Sequence, residues 1–230
     1  MKGFESFLIE DKRIYEMFVD RFSNFLNKTH KRVEIGQDNG LPIYLWKSYK
    51  PEYLITAGWQ GDEPAGWNAC MKLAEEGYKN LSFVPVVCPS AFISGDHMDW
   101  QGVNNDRNFP TPSGQSSKAM NDATETLVSL SLKGHFSLQE DPKRSFAYAY
   151  FWGNAPKSRV VEILDGGPRN GLVMWDQGER KPKQKGMFCK HLHDHGVPFS
   201  VQTETPADGS VSLDKRVLGQ FTVVSTITQT

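Results

Sequence analysis

Cysteine is scarce in this chain: Cys70, Cys88 and Cys189 are the three among 230 residues. An odd number cannot all pair internally, and their apolar neighbours point to buried, reduced thiols of the kind a cytoplasmic protein carries, not to a disulfide scaffold. Long apolar runs are missing too. No stretch reaches the roughly 18 residues of a membrane span, and Met1-Lys2-Gly3-Phe4-Glu5 places an acid where a secretory signal keeps an unbroken apolar region. The expectation is a cytoplasmic protein with no membrane partner. An excess of either charge is also lacking: the net charge is -1 and the isoelectric point about 6.6. That balance argues against nucleic acid as a partner. The basic run Arg180-Lys181-Pro182-Lys183-Gln184-Lys185 reads as a solvated loop. Internal repeats and low-complexity segments are absent.

A hydrophobic share of 38% and an aromatic share of 12% suffice for a full core, so residues 1–230 are expected to form a single domain. Ile14, Phe18, Phe22 and Phe25 recur at helical spacing and predict an amphipathic helix over 10–28 with those four on its apolar face. Gln37-Asp38-Asn39-Gly40 between two apolar arms predicts a hairpin. Pro42, lacking a backbone donor, places the second arm at a sheet edge. Strands are expected at 53–57, 81–88, 136–139, 145–152, near 172–175 and at 199–203. Helices are expected at 64–77, 116–133, near 157–164, near 185–195 and from Leu213 onward. Pro64 opens the first of these, Gly77 stops it, and Ser212 caps the last. Residues 89–116 form a long polar connection of the kind that carries function. Alternating strands and helices predict an α/β domain with a mostly parallel sheet covered on both faces.

Four segments hold the chemistry. Gln60-Gly61-Asp62-Glu63-Pro64 follows the apolar run Tyr53–Ala57; it reads either as a ligand-bearing turn or as a plain helix start, where acids suit the dipole. Asn105-Asp106-Arg107-Asn108-Phe109 offers a guanidinium, whose planar fork suits carboxylates; a local salt bridge is the simpler use. Ser137-Leu138-Gln139-Glu140-Asp141 ends one strand and Thr203-Glu204-Thr205-Pro206 another. His135, four residues before Gln139, would lie on the same face but about 13 Å further back; it reads as a strand-start histidine, and could stand in as a metal ligand only if the strand register shifted. Tyr148 and Tyr150 share a face by alternation, with core packing as the plain alternative. His191, His193 and His195 resemble a metal cluster, but on a helix His193 points away from the other two.

In this order the four segments resemble the zinc carboxypeptidase family, including its succinylglutamate desuccinylase/aspartoacylase-like branch, over roughly residues 50–210. The resemblance implies a central mixed, mostly parallel sheet of about eight strands flanked by helices. It places Gln60, Glu63 and Gln139 on the three metal positions, with glutamine where the family has histidine at both outer positions. It places Asp106 and Arg107 on the carboxylate clamp, Tyr150 beside the substrate and Glu204 on the general base. Counting back five residues from Gly102 places His97 on the oxyanion-stabilising arginine. The implied activity is a metallocarboxypeptidase-like hydrolase that removes a C-terminal amino acid from a small peptide, or an acyl group from an amino acid. Its substrate would carry a free carboxylate. Its cofactor would be zinc, weakly held or absent, because amide oxygen is a poorer zinc ligand than imidazole. The alternative is a catalytically inactive carboxypeptidase-like binding protein that keeps the cleft without the zinc.

Overall fold

The computed structural model describes residues 4–165 and 186–229. The elements run α1 (Phe4–Leu26), β1 (His30–Asp38), β2 (Leu41–Ser48), β3 (Tyr53–Ala57), α2 (Pro64–Glu75), β4 (Leu81–Val84), α3 (Pro89–Ser94), α4 (Gln115–Asp122), α5 (Thr124–Val128), β5 (Gly134–Asp141), β6 (Tyr148–Gly153), α6 (Lys157–Asp165), α7 (Phe188–Asp194), β7 (Phe199–Pro206) and α8 (Leu213–Thr228). Among the described residues one seven-stranded sheet runs in the order β1-β2-β4-β3-β5-β7-β6. The four central strands pair in parallel, while β1, β2 and β6 pair antiparallel at the two sides. The expected strand near 172–175 and the basic run 180–185 lie outside the described residues.

Helices cover both faces. Along β3 the side chains alternate: Leu54 packs with Trp59, Met120, Leu127, Phe188 and Leu192 on one side. Ile55 and Ala57 pack with Phe22, Leu73, Val160 and Val224 on the other. A strand buried on both faces reads as a continuous apolar run, which is why Tyr-Leu-Ile-Thr-Ala shows no polar alternation.

Several expectations need correction. The buried face of α1 is Tyr15, Val19, Phe22 and Leu26, whereas Ile14 is 53% exposed and only Phe22 of the expected four is fully buried. Phe18 and Phe25 pack at the margin, so the true stripe is displaced by one residue over much of the helix. The hairpin forms, but β2 is interior and β1 is the edge. Pro42 is tolerated there because β2 meets β4 near Trp46, paired with Phe83, well beyond the proline. Pro42 instead faces Gln37 of β1, and its carbonyl accepts from the Tyr15 hydroxyl at 2.6 Å. The single helix expected over 116–133 is two short ones, α4 and α5, and β4 ends four residues earlier than Cys88. Ser212 occupies the N-cap of α8, but its hydroxyl makes no capping bond. Gly77 does stop α2: with φ of 78° it turns the chain left-handed, and its N–H bonds back to the Ala74 carbonyl. All three cysteines are free and buried.

The chain leaves β3 for β4 on one side and later returns to β5 on the other, so the strand order reverses between β3 and β5. In open α/β sheets the crevice at the carboxyl ends of the strands around such a reversal is where ligands bind.

Candidate active site

That crevice is a cleft of about 590 Å³ lined by Gln60, Asp62, Glu63, His97, Arg107, Gln139, Tyr148, Tyr150 and Glu204, with Lys143 and Arg144 also on its wall. Five segments separated by up to 144 residues of chain thus meet. Gln60 and Glu63 come from the turn after β3, Gln139 from the end of β5, Glu204 from β7 and Tyr150 from β6; Arg107 comes from the long connection before α4. Gln139 and Glu204 are direct cross-strand neighbours, and Tyr148 pairs with Glu204 from the other side.

Two glycines permit the close approach. A Cβ at Gly61 would lie 1.7 Å from the Ala91 carbonyl oxygen, and one at Gly66 would lie 2.4 Å from that of Leu138. Gly61 therefore lets the acidic turn press on the end of α3, where its N–H donates to the Asp96 carbonyl at 2.7 Å. This contact brings His97 against the turn. Gly66 seats the start of α2 on β5.

Glu63 is 3% exposed and one of its oxygens accepts the Glu140 N–H at 3.1 Å. Burial first, then the nearby charge of Glu204, pushes its carboxyl well above the ordinary range. Glu204 is 6% exposed and accepts from the Gln202 amide at 2.7 Å. Burial lifts it to about 8, with Asp106 and Asp141 adding to the rise and Gln202 opposing it. Asp106 is fully buried. Its Oδ2 accepts from Arg107 Nη1 and from Gln139 Nε2, both at 2.9 Å, and its Oδ1 from the Phe188 N–H at 3.3 Å. Desolvation still wins, and the Asp106 carboxyl sits above its usual range against the pull of Arg107. The Arg107 side chain is 31% exposed to the cleft, and its Nη1 also donates to the Asp106 carbonyl at 2.7 Å. His97 Nδ1 lies 3.1 Å from Asp62 Oδ1 and 3.9 Å from Glu63 Oε1.

The residues at 60, 63 and 139 do not fit zinc. Gln139 directs its Nε2 to Asp106 and, at 3.0 Å, to the Ser137 hydroxyl. Gln60 donates to Asn104 Oδ1 at 3.1 Å, leaving its Oε1 buried without a partner. At most two neutral amide oxygens and one carboxylate oxygen are offered, where zinc sites are built from imidazole nitrogen, thiolate or carboxylate.

His135 does not replace a lost ligand. It is fully buried in β5, bonded to the Thr56 hydroxyl at 2.9 Å, and burial lowers it to about 3. The two histidines of α7 and the one at its C-cap are also accounted for: His191 meets the Thr124 hydroxyl at 3.0 Å, His193 the Val197 carbonyl at 3.0 Å and His195 the His191 carbonyl at 2.7 Å.

Sequence reasoning gave no role to Asp62, although it sits inside the first motif, or to the buried pair Glu140–Arg216. Glu140 Oε2 accepts the Ala65 N–H at 2.7 Å, while its Oε1 contacts Arg216 of α8. The N-terminus of α2 is therefore capped across the fold by Glu140; the local Glu63 makes no capping bond. The Glu-Asp pair after Gln139 was the available signal.

No protein-family model matches the sequence, and no curated protein matches it. Solved structures do match. A proposed metallopeptidase of Shewanella amazonensis SB2B superposes with a TM-score of 0.76 at 21% identity, covering 94% of this chain and 92% of that one. The fold is carboxypeptidase-like. A metallo-carboxypeptidase from Pseudomonas aeruginosa, in complex with (2-guanidinoethylmercapto)succinic acid, gives a TM-score of 0.68 at 16% identity, covering 93% of this chain and 67% of that one. The murein-tripeptide amidase of Escherichia coli O157 gives 0.63 at 15% identity, covering 85% and 91%. Among the described residues no helix is long and apolar enough to cross a membrane.

Proposed function

We propose that this carboxypeptidase-like domain hydrolyses the amide bond of a small peptide or acylated amino acid bearing a free carboxylate. One observation carries the reading: Glu63, Arg107, Gln139, Tyr150 and Glu204 line a single cleft at the strand-order reversal. Arg107 anchors the carboxylate, Tyr150 flanks the substrate, and Glu204 moves the proton. Water oxygen bonds to the carbonyl carbon as Glu204 takes its proton. The carbon–nitrogen bond then breaks, and the same proton passes to the leaving nitrogen. Burial makes the carboxylate a stronger base, and with its pKa lifted to about 8 the rate should rise with pH through that value as the carboxylate form fills. His97, at the cleft wall, is placed to donate to the developing oxyanion when Asp62 is not its partner. The succinic acid compound held by the Pseudomonas protein supports a dicarboxylate or carboxylate-bearing ligand here by analogy.

The misfit of Gln60 and Gln139 to zinc favours a second reading, a binding protein that holds such a ligand without cleaving it. Turnover assays on N-acylated amino acids and short peptides separate the two, with ligand affinity measured in parallel. Glu204→Gln should lower kcat by at least about 100-fold, within the usual range for a proton-transfer group, while changing affinity little. Tight binding by the wild type without turnover of any member of the panel would leave the binding protein standing.

A further inference from the structure

Asp62, Glu63 and His97 each offer a ligand atom, and the three atoms lie within 4.8 Å of one another. They reach this arrangement from two segments: the turn after β3 carries both acids, and the connection after α3 carries the imidazole. The Gly61 contact with Ala91 and Asp96 clamps those segments together. Gln60 provides an independent sign of a missing ligand. It lines the same cleft, is 2% exposed, and has its amide fixed by donation to Asn104 Oδ1. That fixed orientation leaves a buried carbonyl oxygen, Oε1, with nothing to accept from. Native folds seldom leave such an oxygen orphaned unless a water or an ion completes it.

We propose that Asp62, Glu63 and His97, supported by Gln60 Oε1, bind a divalent first-row cation of the zinc class, in place of the set at 60, 63 and 139. Two carboxylates neutralise the ion's charge, and one imidazole nitrogen gives the softer donor that selects zinc or cobalt over magnesium and calcium. Nδ1 of His97 is the ligating nitrogen. The cation takes the proton's place between Nδ1 and Asp62; the ring proton moves to Nε2, and the Asn104 amide, whose Nδ2 now faces Nε2 at 3.4 Å, must turn away. Tetrahedral ligand atoms about 2.1 Å from a metal stand roughly 3.4 Å apart, so the trio must draw inward. Asp62 and His97 are free to do so, with side chains 33% and 38% exposed, while Glu63 is fixed at 4%. This site deepens the hydrolase reading: it would supply the electrophile that the glutamines cannot, and with His97 as a ligand the ion, not the imidazole, would stabilise the oxyanion.

Zinc chloride and cobalt(II) chloride, each added alone to the full chain, test the assignment by calorimetry and by the visible spectrum of bound cobalt. The wild type should take up about one equivalent with micromolar affinity, as metal sites of few protein ligands do. His97→Ala and Asp62→Asn should each weaken it by about tenfold or more, with loss of the cobalt spectrum. Gln139→Ala should alter affinity by less than about threefold. Both positions are half-buried, so circular dichroism should show that each variant keeps the fold. Absence of saturable binding in the wild type would overturn the proposal. So would equal weakening by Gln139→Ala and His97→Ala, which would return the ion to the position of the glutamines. Stoichiometric binding without turnover would leave the metal site standing and remove the hydrolase; turnover without metal would do the reverse.

Discussion

Arg107 faces one anion in the fold and, in the proposed role, a second in its ligand. Asp106 occupies its Nη1, while the exposed part of the guanidinium looks into the cleft. A buried carboxylate next to the anchor competes with an incoming one, so Asp106→Asn should tighten binding of an N-acylated amino acid by about tenfold. Arg107→Met should weaken it by about tenfold or more, since a charge-assisted hydrogen bond contributes about 1.5–3 kcal/mol. Titration calorimetry of the two variants would show both shifts; unchanged affinity in Arg107→Met would remove Arg107 from the anchor role, and weakening by Asp106→Asn would remove the competition. His135 yields a separate expectation. Its ring is neutral in the fold, lowered to about 3 by burial, but titrates near 6.5 once unfolded. Below pH 6.5 the unfolded chain binds a proton that the fold refuses, so stability falls at about 1.4 kcal/mol per pH unit on the way to pH 3. Denaturant titrations at pH 7 and 5 should therefore show the wild type losing about 2 kcal/mol more than His135→Asn over that interval. At this scale the motifs that named residue and spacing together put Glu63, Arg107 and Glu204 on one cleft, and what each does there is the proposal above. The sequence was silent on Asp62, whose partner His97 lies 35 residues away in a connection with no periodicity to read.

Between elements, the Glu140–Arg216 pair joins the end of β5, the start of α2 and the start of α8. Both side chains are largely buried, at 0% and 13% exposure. The pair matters because its members depend on each other: an unpartnered buried carboxylate is expensive. Arg216→Met should cost about 3–5 kcal/mol, visible as a lower melting temperature. Adding Glu140→Gln to that variant should recover part of the loss, because it removes the stranded charge. A double variant less stable than the single one would mean that Glu140 acts mainly as the cap of α2 and little as a charge. Helix positions were legible from Pro64, Gly77 and the apolar periods, since those signals are local. The face of α1 was not. Tyr15 and Val19 compete with Ile14 and Phe18 for the core, and contacts with α3 and the sheet decide between them. Pro42 misled for a similar reason: its missing donor excludes a partner only where a partner reaches, and β4 meets β2 near Trp46.

For the molecule as a whole, alternating strands and helices made a parallel-centred sheet readable, but not its order. The pairing of β3 with both β4 and β5 joins residues as far apart as Ile55 and Phe136, and no local pattern encodes that choice. Yet this order creates the crevice, by reversing direction between β3 and β5, where Glu63 and Gln139 line one cleft. The glutamines at 60 and 139 separate what the fold positions from what the family resemblance implies for those positions. The most direct test is a crystal structure of the protein grown with an N-acylated amino acid at saturating concentration. The account predicts the ligand carboxylate within hydrogen-bond distance of Arg107 and its amide carbon between Glu63 and Glu204. Ligand seated elsewhere, or side chains 60, 63, 139 and 204 opening onto different surfaces, would contradict it.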